Sequence, residues 1–166
     1  MGNFMDELPI NCLFNKGATG CGGTELALSN DRNTIIAMPF VSLVINKVET
    51  EEHQENVLGV YGGINNREIE EYIRTHDVWK IAVVYNSLPR VISVFEEMGI
   101  DVYSECFLLV DEYHILFNQY TFRNEAITKL LELASRFNGK TYMTATPLCE
   151  EFMIQELKGM PVYEVI

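Results

Sequence analysis

The chain has 166 residues, 48% of them hydrophobic, and 12 basic against 24 acidic side chains leave a net charge of -12. That length suits one domain with a sizeable core and falls short of two, while the negative charge opposes long-range attraction to phosphate backbones, so any nucleic-acid contact has to be local. Cys12, Cys21, Cys106 and Cys149 show no CxxC pairing, which argues against a zinc site or disulfide framework and for reduced thiols in a cytosolic protein, and no apolar run reaches the length of a membrane span.

Short apolar runs alternate with helical patterns, which predicts an α/β fold with a mostly parallel sheet covered by helices on both faces. Strands are expected over 10–14, 34–38, 57–61, 79–85, 106–110, 140–143 and 162–166. After the first of them, residues 17–24 read GATGCGGT and lead into a short helix over 24–29. The segment fits the phosphate-loop pattern GxxxxGK(S/T) at Gly17, Gly22 and Thr24, but Gly23 stands where the lysine belongs. Glycines let successive backbone N–H groups converge on phosphate oxygens, and a helix start adds partial positive charge. Thr24 occupies the place of a magnesium-ligating hydroxyl, and Cys21 is incidental. Taken alone, the segment without its lysine favours a plain glycine-rich turn between strand and helix. Lys16, just before Gly17, is expected to be solvent-exposed in preference to turning toward the phosphates.

Further along, the acidic stretch 49–55 reads as a solvated helix end or loop, and His53 and His76 read as surface histidines without ligand partners. Asn65 and Glu68 form a capping box that opens a helix running to about residue 75. Another helix starts at Pro89 and stops at Gly99. The apolar run 106–110 then delivers Asp111 and Glu112 at a strand's carboxyl end, where open α/β sheets bind ligands. One carboxylate there suits a magnesium ion and the other an attacking water, because phosphoryl transfer depends on positioning and charge stabilisation. A helix over 124–137 follows, with Ile127, Leu130, Leu131, Ala134 and Phe137 on one face and Asn138-Gly139 as its stop. The next strand ends in Thr144-Ala145-Thr146-Pro147, whose two hydroxyls are placed to bond to the carboxylate motif. No repeat or linker divides the chain, and a strand running to the last residue suggests a larger parent protein.

GATGCGGT, Asp111-Glu112-Tyr113-His114 and TATP, in this order, resemble motifs I, II and III of the first RecA-like domain of superfamily 2 helicases of the DEAD/DEAH-box type, over residues 8–166. Fainter similarities are 39–43 to motif Ia, Tyr61-Gly62-Gly63 to the double-glycine element and 85–88 to motif Ib. The resemblance implies a RecA-like P-loop NTPase fold with a degenerate Walker A loop, spanning 1–166 as helicase domain 1, and a cytoplasmic location. It implies ATP and Mg as cofactors: Gly17, Thr19, Gly20, Cys21, Gly22, Gly23 and Thr24 around the phosphates, Thr24 and Asp111 on magnesium, and Asp111, Glu112 and His114 in catalysis. Thr144 and Thr146 would couple the nucleotide to movement. Implied partners are DNA or RNA, held weakly by this domain alone, and a second RecA-like domain in cis or trans that this chain lacks; no membrane is involved. The absent lysine matters, since one charge pair at about 4 Å is worth about 4 kcal/mol at an effective dielectric of about 20. Three readings follow: the ATPase domain of a helicase or translocase, weak or inactive on its own; a pseudo-ATPase scaffold with the same fold; and, least supported, a small nucleotide kinase.

Overall fold

Side-chain alternation builds the molecule, and the computed structural model describes it over residues 5–17, 22–50, 55–119, 124–146 and 157–164. In chain order the elements are β1 (Cys12–Asn15), α1 (Gly23–Ser29), β2 (Thr34–Met38), α2 (Val41–Val48), β3 (Leu58–Val60), α3 (Asn66–Thr75), β4 (Lys80–Val84), α4 (Leu88–Glu97), α5 (Val102–Glu105), β5 (Phe107–Asp111), α6 (His114–Gln119), α7 (Asn124–Arg136), β6 (Gly139–Thr144) and β7 (Val162–Glu164). The strands form one seven-stranded sheet in the order β3-β4-β2-β5-β6-β1-β7, and every pairing between described strands is parallel.

Successive residues of the inner strands feed two different cores. Leu13, Ile35, Ala37, Ile81, Leu108 and Val110 pack with α3, α4 and α7 on one face. Their neighbours Phe14, Ile36, Met38, Ala82, Leu109 and Met143 pack with Ala27 and Leu28 of α1 and Val44 of α2 on the other. Strands with largely apolar sequences are therefore buried on both sides, as β2 and β5 are throughout. At the sheet's edge β7 is exposed at all three positions.

Helix ends follow local chemistry. Asn65 Oδ1 accepts from the Glu68 N–H at 2.9 Å and Glu68 Oε2 accepts from the Asn65 N–H at 2.8 Å, the reciprocal capping expected. Gly99, at φ +74, ends the α4 region in a left-handed conformation that glycine adopts without penalty. Residue 139, expected as part of a helix stop, instead begins β6. Three helices had no sequence expectation: α2, α5 and α6. α2 starts after Phe40, which offers no side-chain cap, so the usual polar start signal is missing. His76 is structural, stacked on Tyr72 at 4.1 Å with Nδ1 near the Tyr72 carbonyl at 3.0 Å. His53 lies outside the described residues, as do Cys21, Cys149 and 165–166; Cys12 and Cys106 are buried and free.

Candidate nucleotide site

Parallel register gathers three chain exits at one edge of the sheet. β6 lies between β1 and β5, with Phe14 and Asp111 both opposite Met143 and Asn15 opposite Thr144. Chain segments separated by about a hundred residues thus leave the sheet side by side, at its carboxyl edge.

Asp111 ends β5 and is only 6% exposed. The chain turns at Glu112, whose φ of +54 is unusual for a residue with a side chain and costs roughly 1–2 kcal/mol. Hydrogen bonds hold that turn. The Glu112 N–H donates to Asp111 Oδ1 at 2.9 Å, the Tyr113 N–H donates to the Met143 carbonyl at 3.2 Å, and the buried Tyr85 hydroxyl donates to the carbonyls of Asp111 and Glu112. Burial, reinforced by the charges of Asp111 and Glu112, pushes the Tyr85 phenol well above its ordinary pKa, so it stays a neutral donor. Tyr85 falls in the segment that resembles motif Ib; its side chain serves the carboxylate turn from below.

Lys16 corrects the sequence expectation most clearly. It is not solvent-exposed: it is 7% accessible, and its Nζ lies 2.7 Å from Glu112 Oε1 and 3.4 Å from Asp111 Oδ1. Its own N–H donates to the Thr144 carbonyl at 2.9 Å, which fixes the backbone beside β6. Burial opposes the ammonium, but the two carboxylates outweigh it and hold the Lys16 pKa above the ordinary value. Burial pushes Asp111 upward, with Lys16 pulling against it and Glu112 adding to the rise.

Thr24, also buried, donates through Oγ1 to Asp111 Oδ2 at 3.4 Å. Among the described residues no group of three or more His, Cys, Asp or Glu could cage a metal. A hydroxyl and one carboxylate nevertheless fit Mg2+, which usually keeps several waters and relies on substrate phosphates for the rest of its shell. Of the two TATP hydroxyls expected to bond to the carboxylate motif, that of Thr144 does so through His114 of the motif. Thr144 Oγ1 lies 2.7 Å from His114 Nδ1, Thr146 contributes a backbone N–H to Thr144 Oγ1 at 3.0 Å, and the Thr146 side chain is exposed. His114 Nδ1 is itself 3.4 Å from Glu112 Oε2, so Thr144 reaches the carboxylate through the imidazole. Thr144 stands one residue beyond Met143, the register partner of Asp111, and its hydroxyl is taken by the imidazole.

Of the phosphate loop, Gly17 and Gly22 take left-handed φ values of +75 and +90, conformations that favour glycine. Gly23 is the buried first residue of α1. Thr19, Gly20 and Cys21 lie outside the described residues, as does Pro147. Beside α1 a cavity of about 610 Å3 is lined by Met5, Glu7, Gly22, Glu25, Leu26 and Asn30, with Asp6 and Asp31 adding acid and no basic side chain. In the segment 39–43, Phe40 is 46% and Val41 43% exposed.

Tyr85 is the site residue that sequence reasoning missed, and Lys16 is the one it weighed and placed in solvent. Each follows an apolar strand at its carboxyl exit, a position the strand pattern itself marks.

The fold is α/β, a parallel sheet with helices on both faces. The chain is similar to the crystal structure of the Pyrococcus furiosus Hef helicase domain, with a TM-score of 0.56 and 17% identity over 93% of this chain and 35% of that one. It therefore spans about a third of that neighbour. No protein-family model matches the chain, and no curated protein matches it. Among the described residues no helix is long and apolar enough to cross a membrane.

Proposed function

We propose that this chain is the first RecA-like, ATP-binding domain of a DEAD/DEAH-type helicase or translocase, with low hydrolytic activity by itself. What carries the reading is the convergence of Lys16, Thr24, Asp111 and Glu112, from separate parts of the chain, on one edge of a helicase-type sheet. Thr24 and Asp111, in contact with each other, would hold the magnesium ion of Mg-ATP. When bound, that ion neutralises phosphate charge and polarises the phosphoryl group. Glu112, fixed by its turn, orients the attacking water and takes its proton. His114 and Thr144 link Glu112 to the strand exit of β6, a route by which the state of the site reaches the rest of the molecule. A second RecA-like domain, in cis or trans, would complete the site, and exposed groups such as Phe40 would face DNA or RNA. A scaffold that keeps the fold without turnover is the second reading, favoured by Gly23 and by the net charge of -12.

Calorimetric titration with Mg-ATP tests the proposal. Wild type binds, and Glu112→Gln binds at least as well while any turnover falls. Absence of binding to wild type leaves the scaffold reading.

A further inference from the structure

Gly23 removes the loop's own cation, yet the site is not without one. We propose that Lys16 supplies the phosphate-facing ammonium of this domain, and that it rests on Asp111 and Glu112 between nucleotides; this extends the nucleotide-binding reading above and depends on it.

Three observations support the assignment. The first is placement: the Lys16 N–H bond to the Thr144 carbonyl at 2.9 Å anchors the residue at the sheet's carboxyl edge, one position before the loop begins at Gly17. Its flexible four-carbon stem lets the ammonium move while the backbone stays fixed. The second is the division of the Asp111 carboxylate. Lys16 approaches Oδ1 and Thr24 approaches Oδ2, so the ammonium does not occupy the oxygen that the threonine would share with a metal. Cation and ammonium can act side by side. The third is charge. Among the described residues, Lys16 is the only lysine or arginine paired with Asp111 or Glu112, and the neighbouring cavity has no basic lining. Phosphates arriving beside these carboxylates need a full positive charge to offset them, and among the described residues Lys16 is the cation that stands against both. A lysine confined to a structural ion pair would account for the burial, but not for its location at the start of a phosphate loop that lacks its own lysine.

The test measures binding of Mg-ATP and of AMP, by calorimetry, to wild type, Lys16→Met and the double variant Lys16→Met/Gly23→Lys. Lys16→Met is expected to lose about tenfold or more in Mg-ATP affinity and to leave AMP affinity unchanged, with the double variant restoring Mg-ATP. Equal Mg-ATP affinity in Lys16→Met, or a loss shared equally by AMP, overturns the assignment. A wild type that takes up no nucleotide overturns the underlying reading instead, and the role of Lys16 falls with it. Should Lys16→Met fail to fold, wild type decides the matter alone. An acyl-phosphate ester of ATP transfers its acyl group to an amine lying at its phosphates, and peptide mapping is expected to find the label on Lys16, blocked by excess Mg-ATP. A binding-competent wild type with no label on Lys16 overturns the proposal.

Discussion

Two buried lysines, Lys16 and Lys80, serve opposite ends. Lys16 stands at the carboxyl edge of the sheet against two carboxylates. Lys80, 3% exposed at the start of β4, holds its three ammonium protons among four oxygens: the Ala27 carbonyl at 2.7 Å, Asn30 Oδ1 at 2.7 Å, the Arg32 carbonyl and, more distant, Thr34 Oγ1 at 3.2 Å. It closes the C-terminal end of α1 and the turn into β2, using neutral oxygens. Burial, with Arg32 nearby, pushes its ammonium down to about 8, whereas the carboxylates hold Lys16 up. Burial of a cation alone therefore says little about function. What separates the two is whether the partners carry charge and whether they stand where a ligand arrives.

The largest expected effect lies at the structural end. Lys80→Met leaves buried carbonyls of α1 and its following turn without a donor, and should cost about 2–4 kcal/mol of stability in urea unfolding. If nucleotide binding is lost while stability holds, the contrast between the two lysines is wrong.

A pH series sharpens the same point. The folded-state value for Lys80 is about 8, against about 10.4 in the unfolded chain. Well below the folded value both states hold the proton, and the folded state bears the whole cost of burying it. Above it the folded state releases the proton first, so stability should rise, by about 1–2 kcal/mol between about pH 8 and about pH 9.5. In Lys80→Met this rise should vanish, which chemical denaturation across that range will read out.

At the other end, Asp111→Asn should lower Mg-ATP affinity by about tenfold, or about 1.4 kcal/mol, and make ATP binding insensitive to magnesium. Titrations with and without a chelator report this, and retained magnesium dependence would place the ion elsewhere. The smallest effect expected is that of Tyr85→Phe, which removes the donor beneath the Asp111–Glu112 turn and should cost about 1 kcal/mol in stability. An unchanged unfolding midpoint would show that the turn is held without it.

Much of this architecture is written in local patterns. The strand over 34–38 is found at those residues, since a short apolar run rich in isoleucine suits a strand buried on both faces. The helix after Asn65 begins where its capping box places it, because that device operates within four residues. Helix α2 was not legible, since Phe40 offers no polar cap and its packing against β3 and β4 is remote in sequence. Thr144 was expected to bond to the carboxylate motif and does so through His114, but which side chain of the motif it meets is a detail that spacing along the sequence cannot resolve.

By itself the sequence determined the alternating α/β pattern, the glycine-rich loop without a lysine, and the carboxylate pair at a strand exit, because each is set by neighbours within a few residues. Tertiary structure alone decided the strand order, and with it that β6 seats β1 beside β5 and carries Lys16 to within 2.7 Å of Glu112. Those residues are 96 positions apart, and only the packing of the sheet between its two layers of helices fixes how far apart they lie in space.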